Sequence, residues 1–458
     1  MNRRNFIATS LAAGAFPMIF GGCRSFGANE KVRVGIIGYG RIASTFEVPC
    51  VLERKDIARI VAVCDLDSKR ANFGAETIEK AYNDGTKIDV YHDYKELLAR
   101  EDIDAVMICL PDFWHAIVSA AAIKAGKAVW LQKPFTQTIG EGRIIADLAK
   151  KHHTVFQVGS QQRSWTPFKR ACQACLDGKI GKIKRIEVGI GLDKAGGSSK
   201  PEKVPANFDY DTWLGPTDHN VPYNHTRCHN DDLNHLTDRP GWIQLAPYGW
   251  GMITNWGAHH LDVVRWGLNA LAPEKVEGTC KWMDLSGDKL WNVHTNYDLH
   301  YTFNNGFTDV HVWDGYQMGV KFIGENGDWV FCSRSHERVT PSDPLPPPLA
   351  AGQLPPLAAS KEGIVEPLGM EKVRSTQAHV SNWLEAVQAS DPKMTVTNAE
   401  GGHRSTSLCS LGQMCMELGR GKKDGFSLNW DGLKETTGVA EFDKLMKPFE
   451  NGNFKLEA

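Results

Sequence analysis

The chain has no excess of either charge. It carries 52 Lys and Arg against 54 Asp and Glu, a formal net charge of −2. Without a basic surplus nothing is available to neutralise a phosphate backbone, so nucleic acid is not an expected partner. The apolar run from Leu11 to Phe20 is shorter than the roughly 20 residues a spanning helix needs. Cys172-x-x-Cys175 lacks a second Cys-x-x-Cys or a His-x-x-x-His pair to complete a zinc site, and no metal is expected. There are 11 cysteines in 458 residues, but a chain of this length can build a core without a disulfide framework. Internal repeats are absent, which argues against a solenoid. What is present is ordinary for a globular protein, 42% hydrophobic and 23% charged residues, with length for two or three domains.

The first residues read as a targeting segment. Arg3-Arg4 precedes the apolar run, and Phe20-Gly21-Gly22-Cys23 follows it as a loose lipobox. This pattern resembles a twin-arginine export signal over residues 1–28, with a lipid anchor at Cys23 as an option. The expected location is the periplasm or cell envelope.

The strongest local signal comes next. Val34-Gly-Ile-Ile-Gly38-Tyr-Gly40-Arg41-Ile42-Ala43 is an apolar strand running into a Gly-x-Gly-x-x-Ala turn. Gly38 permits a tight turn, Gly40 leaves room for a pyrophosphate, and Ala43 lets the following helix pack close, with its first amides facing the phosphates. A second apolar strand, Ile60–Cys64, ends in Asp65, where an acid accepts ribose hydroxyls and repels a 2′-phosphate. NAD is therefore expected over NADP.

From 31 to 160 strand and helix signals alternate, and Ala105–Leu110 is apolar throughout, as for a strand covered on both faces. This predicts a doubly wound Rossmann domain. Beyond it, Ile183–Gly191, Val276–Met283, Thr295–Phe303, Gly306–Trp313 and Gly319–Ile323 show strand alternation punctuated by Gly and Asn. The expectation for 161–458 is an α+β substrate-binding and oligomerisation domain with a large, mostly antiparallel open sheet. Met252–Leu268, Gln377–Ser390 and Arg404–Gly419 read as helices, and 340–356 is a Pro-rich loop.

Further elements recur after the turn: Leu110-Pro111-Asp112-Phe113-Trp114-His115, Gln132-Lys133-Pro134, Trp213-Leu214-Gly215-Pro216, Asn255-Trp256-Gly257-Ala258-His259-His260-Leu261-Asp262 and Trp430-Asp431. With the Gly38 turn these resemble the Gfo/Idh/MocA oxidoreductase family over nearly the whole chain after the signal. The resemblance implies a homodimer or homotetramer joined through the open face of the second sheet. It implies a lysine beside the nicotinamide and substrate, which is Lys133 here, although Gln132 replaces the family's acid. It implies an Asp and a His one helical turn apart; here Asn255 stands at the Asp position and His259 at the His position. Gly38, Gly40, Arg41, Ile42, Asp65, Leu110, Pro111, His115, Gln132, Lys133, Gln161 and Arg163 are then expected around the cofactor. Lys133, Arg163, Tyr223, Trp256, His259 and His260 are expected around the substrate.

The chemistry is consistent with these residue types. Oxidising a secondary alcohol removes a hydride from carbon and a proton from oxygen. A lysine ammonium stabilises developing alkoxide, and a histidine titrating near neutrality suits a general base. Asp262, three residues past His259, is an alternative partner for it. The Trp-rich region around Trp242, Tyr248, Trp250 and Trp256 suits the apolar face of a sugar ring. His225 and His229 lie in a stretch with loop composition, which disfavours a metal site. Three readings follow: an NAD-dependent dehydrogenase acting on a sugar or glycoside hydroxyl, preferably at C3, with tightly held and recycled cofactor; a glycoside hydrolase that oxidises C3 transiently and eliminates the aglycone; and a sugar-binding protein that retains nucleotide without chemistry.

Overall fold

The computed structural model describes residues 26 and 30–449 except 314, 335–350 and 369–374, together with 451 and 454–456. The expected signal segment, Cys23 and most of the Pro-rich loop lie outside the described residues. Among those described, no helix is long and apolar enough to cross a membrane.

Six parallel strands form the first sheet: β1 Val32–Ile37, β2 Ala58–Cys64, β3 Asp89–Tyr91, β4 Ala105–Ile108, β5 Ala128–Leu131 and β6 Phe156–Val158, in the order β3-β2-β1-β4-β5-β6. The central strands are apolar on both faces, and every residue of β4 is buried, because helices cover the sheet on each side. Local chemistry fixes the helix starts. Asp67 accepts the amides of Lys69 and Arg70 at the head of Ser68–Tyr82, and Thr138 with Glu141 forms a capping box at Ile139–Lys151, each cap contributing about 1 kcal/mol. Strand order reverses between β1 and β4, so a crevice opens at their carboxyl ends.

The second sheet has eight strands: β7 Ile183–Gly189, β8 Lys275–Trp282, β9 His294–Phe303, β10 Thr308–Trp313, β11 Gly319–Gly324, β12 Trp329–Cys332, β13 Leu357–Ala359 and β14 Phe426–Asn429. Their order is β13-β12-β11-β7-β10-β9-β8-β14. The β7–β10 pair is parallel and the other pairs are antiparallel. Burial alternates along β10, with Val310 and Val312 inward and Asp309 and His311 outward. One face therefore packs on helices Thr166–Leu176, Gly257–Leu268 and Ala399–Leu418, while the other stays open. Open antiparallel alternation in the sequence is what made this sheet readable.

Two features depart from the simple division at residue 160. Helix Ser375–Gln388 returns to the first sheet, where buried Trp383 packs against Trp130 of β5 at 5.8 Å between ring centroids. The loop-rich segment 190–250 arches over the carboxyl ends of the first sheet. It pins itself there through Trp213 and Tyr248, whose rings meet Phe113 at 5.3 and 5.2 Å. A bridge between Asp67 and Phe208 anchors the same segment a few residues before Trp213.

Candidate active site

A cavity of about 980 Å3 runs from the Gly38 turn to Lys133 and His259, between the first sheet and the arching segment. Its first half is the glycine turn. Gly38 sits at φ +90°, and a Cβ there would lie 2.6 Å from the carbonyl oxygen of Cys109. Glycine is required both for the backbone conformation and for the close approach of β1 and β4. The helix that follows, over 41–52, widens into a π turn at Ala43–Glu47 before Val48–Leu52. The amides at its head have no acceptor within the helix and suit a phosphate.

Asp65 closes the turn from β2. One carboxylate oxygen accepts the Tyr39 amide at 2.7 Å and the other the Asp67 amide at 2.9 Å. Burial raises its pKa, opposed by those amides and by Arg70. Arg70, which the sequence reading did not single out, lies with a terminal nitrogen 3.8 Å from where a Gly40 Cβ would stand, and pairs with Asp67 at 3.6 Å. His229 reaches Asp67 at 3.0 Å and His225 reaches Glu202, so these two histidines serve carboxylates and do not converge on a common point.

The second half of the cavity is built around Lys133 at the carboxyl end of β5. The expected helix Met252–Leu268 is broken into Met252–Asn255 and Gly257–Leu268. The break has a consequence. The His259 amide turns back to Trp256 O at 3.0 Å, which frees the Asn255 carbonyl to accept from Lys133 Nζ at 3.1 Å. The Asn255 side chain is not aimed at His259; its Oδ1 accepts from Arg239 at 3.3 Å. Burial pushes the Lys133 pKa down to about 7, as do Arg334, Arg239 and Arg41, while Asp112 opposes them. Asp112, from the Leu110-Pro111 loop, is itself pushed up to about 8 by burial.

His259 is buried, and Arg334 donates to its Nε2 at 3.1 Å while stacking over Trp256 at 4.4 Å. Burial, Arg334 and Lys133 hold the imidazole well below its usual pKa. Its Nε2 lone pair is thus already engaged by a cation, and its Nδ1 has no partner among the described residues. No local pattern announced Arg334, which arrives from the end of β12 in the second sheet.

Gln132 meets a carboxyl after all. Its amide nitrogen and that of Gln161, at 3.1 Å, both donate to Glu47 Oε1. Glu47 is fully buried on the π turn and is pushed up to about 8 by that burial. The acid absent from position 132 is supplied from the helix after the glycine turn. Both glutamines line the cavity, and Gln161 Oε1 has no described partner. An orphaned acceptor at this depth fits the carboxamide end of a dinucleotide, as the glycine turn fits its phosphates.

The structure gathers Gly38, Gly40, Arg41, Ile42, Asp65, Leu110, Pro111, Gln132, Lys133, Gln161, Asn255, Trp256 and His259 along this one cavity. Four expected residues do not line it. His115 places its ring nitrogens 2.7 Å from Pro134 O and 3.0 Å from Leu110 O, tying two loops together. Arg163 is turned away by a two-pronged bond to Asp262, at 2.7 and 2.8 Å, which also removes Asp262 as a partner for His259. His260 bonds Gly189 O at 2.7 Å. Tyr223 is buried against Phe208 and Tyr210.

Residues 32–160 match the model of an oxidoreductase family with an NAD-binding Rossmann fold, Gfo/Idh/MocA. The chain is similar to inositol 2-dehydrogenase 1 of Saccharopolyspora erythraea, 31% identical over 154 residues, 33% of this chain and 43% of that protein. A glycosyl hydrolase family 109 protein of the same organism is 29% identical over 171 residues, covering 33% and 37% of the two chains. The chain thus spans less than half the length of these relatives. The fold likeness runs further: aldose–aldose oxidoreductase from Caulobacter crescentus superposes with TM-score 0.58 over 87% of this chain and 99% of that one, at 15% identity.

Proposed function

We propose that this chain is an NAD-dependent oxidoreductase acting on a secondary hydroxyl of a sugar or glycoside, with C3 the preferred position. The observation that carries the reading is Lys133, a half-buried amine that bonds the Asn255 carbonyl, with its pKa pushed down to about 7, in the same cavity as the Gly38–Asp65 nucleotide turn. A dinucleotide held by the Gly38 turn, Asp65 and Gln161 would supply the acceptor for the hydride of the carbinol carbon. Neutral Lys133 takes the hydroxyl proton and, once protonated, holds the oxygen's partial charge. The Asn255 carbonyl fixes the amine's position, and aromatic rings at Trp242, Trp256 and Trp291 supply apolar surface for a sugar face. Asp65 favours NAD, because Asp67 and Asp65 already counter Arg70, leaving little positive charge for a 2′-phosphate.

The likeness to a glycosyl hydrolase family 109 protein favours a second reading: oxidation at C3, elimination of the aglycone after C2 deprotonation, addition of water across the resulting C1–C2 double bond, and reduction of C3 back to the alcohol. The cofactor then ends as it began. Export by the twin-arginine route with folded cargo, optional lipidation of Cys23, tight cofactor retention and assembly through the open sheet face belong to the same proposal. Denaturing the purified protein and identifying the released nucleotide and its redox state tests it. Product analysis then separates the readings, a keto sugar with reduced nucleotide against a freed aglycone with none. A protein that neither contains nor takes up an adenine dinucleotide defeats both.

A further inference from the structure

The open face of the second sheet carries a cluster that the cavity does not use. Asp298-Leu299-His300 on β9 and Asp309-Val310-His311 on β10 repeat one pattern, Asp-x-His. Residues two apart on a strand share a face. Leu299 and Val310 are buried, so both acids and both histidines face outward. The antiparallel register sets His300 directly opposite His311. Their rings stack at 4.2 Å between centroids, 11° from parallel, and Trp313 continues the stack at 4.0 Å. Helix Gly257–Leu268, which carries His259, packs on the other face, so the sheet separates this cluster from the cavity.

Each histidine meets the aspartate of the opposite strand. Asp309 accepts from His300 Nδ1 at 2.8 Å, and Asp298 Oδ1 accepts from His311 Nε2 at 2.5 Å. A proton on Nδ1 leaves the lone pair of His300 Nε2 free, and that nitrogen stands 3.5 Å from the same Asp298 oxygen. Two acceptors then face one another, an arrangement that a cation relieves. Among the described residues neither aspartate pairs with a lysine or arginine. Histidine nitrogen and carboxylate oxygen are zinc donors with bonds of about 2.0–2.2 Å, which sets donors about 3.4 Å apart around a tetrahedral ion. One donor atom from each of Asp298, His300 and His311 lies within 4.8 Å of the others. Closing on an ion needs the imidazoles to turn out of their stack, and the χ2 preference of histidine is broad. It also moves the His311 proton to Nδ1, so Arg185, which donates there at 3.2 Å, turns to Glu187, 3.4 Å from its Nε. Asp309 supplies the carboxylate that commonly orients a ligating histidine from behind.

We propose that Asp298, His300 and His311 hold a divalent transition cation of the zinc type on the open sheet face, with Asp309 positioning His300 and a fourth coordination position left to solvent. The lack of Cys-x-x-Cys and His-x-x-x-His partners does not bear on such a site, because its donors converge across two strands. The proposal is independent of the oxidoreductase reading. Its test is a titration of the full chain, stripped with a chelator and dialysed, with zinc chloride alone, followed by calorimetry. One zinc per chain is expected, with a thermal midpoint that rises as zinc is added. D298N, H300Q and H311Q should each weaken binding by about tenfold or more, and D309N should weaken it about tenfold through the orientation of His300. The Asp298 side chain is 59% exposed, so D298N should keep the zinc-free midpoint, and its loss of binding is then not a loss of fold. No zinc uptake overturns the site and leaves a protonated His300 between the two aspartates. Uptake that is unchanged in D298N, H300Q and H311Q overturns it equally, since the metal then sits elsewhere.

Discussion

Replacing Arg163 with Met should destabilise the protein without touching the cofactor. Arg163 holds Asp262 by two hydrogen bonds, at 2.7 and 2.8 Å, and Asp262 is only 1% exposed. Burial alone would raise the Asp262 pKa; Arg163 foremost, with Arg265 and the Ser405 hydroxyl, offsets it, so the folded value is lowered. In wild type this pair therefore contributes stability that is fully present above the unfolded carboxyl pKa of about 3.9 and is lost as pH falls through the lower folded value. Without Arg163 the sign reverses. Asp262 must then either stay charged with only the Ser405 hydroxyl and the Arg265 charge to support it, a loss of up to about 3–5 kcal/mol, or take a proton on folding. Near pH 7 that proton costs about 1.4 kcal/mol for each of roughly three pH units above 3.9, or about 4 kcal/mol. Near pH 5 the same term is about 1.5 kcal/mol. Urea unfolding of R163M, followed by tryptophan fluorescence, should show a deficit of about 4 kcal/mol near pH 7 that shrinks by more than half near pH 5. The R163M/D262L double variant should recover most of the loss, since an apolar pair leaves no buried charge. A deficit below about 1 kcal/mol, a pH-independent one, or a loss of nucleotide affinity at unchanged stability would return Arg163 to the cofactor junction and refute the argument.

Substituting Lys133 by Met should lower turnover by roughly 10²–10⁴-fold while the nucleotide released on denaturation stays the same; equal loss of nucleotide would make Lys133 a binding residue instead. Because neutral amine is the active form and the Lys133 pKa is pushed down to about 7, the oxidation rate should rise with pH through that value and level off above it, and a rate falling over the same range would exclude Lys133 as the proton acceptor. G38A should leave a protein without nucleotide, read by absorbance of the denatured supernatant, because the new Cβ meets Cys109 O at 2.6 Å and φ is +90°. E47Q should be nearly neutral in stability, since burial already keeps Glu47 protonated near pH 7, whereas E47A should cost about 1–3 kcal/mol for each glutamine amide it strands; equal effects in urea melts would show that Glu47 does not organise them.

The first domain could be read from the sequence because its determinants are local. Apolar runs covered on both faces, the glycine turn and Asp65 all lie within one βαβ unit, and the structure arranges them as the pattern requires. The second sheet was readable from alternation, although its register and its parallel β7–β10 pair were not. What local pattern could not reach was contact between distant segments. Arg334 meets His259 from 75 residues away and Arg163 finds Asp262 at a separation of 99. Helical spacing placed Asn255 and His259 one turn apart, yet the break at Trp256 redirects both. His115 and Tyr223 illustrate the same limit: their residue types suit a site, and burial keeps them out of the cavity lining.

Positions 132 and 255 change meaning once the neighbours are in view. Gln132 does not leave its surroundings without an acid, because Glu47 binds its amide; but Glu47 is buried and largely uncharged near neutrality, so the carboxyl orients side chains without screening Lys133. Asn255 likewise engages Arg239 without adding negative charge. Each substitution keeps a hydrogen bond and withholds a charge, and they act on the same amine. The consequence is electrostatic: a lysine with neutral neighbours and arginines nearby gives up its proton more readily than one flanked by carboxylates. A Q132E or N255D substitution should therefore raise the pH at which the rate levels off. If neither change moved the pH profile, the positive field at Lys133 would not be what sets its reactivity.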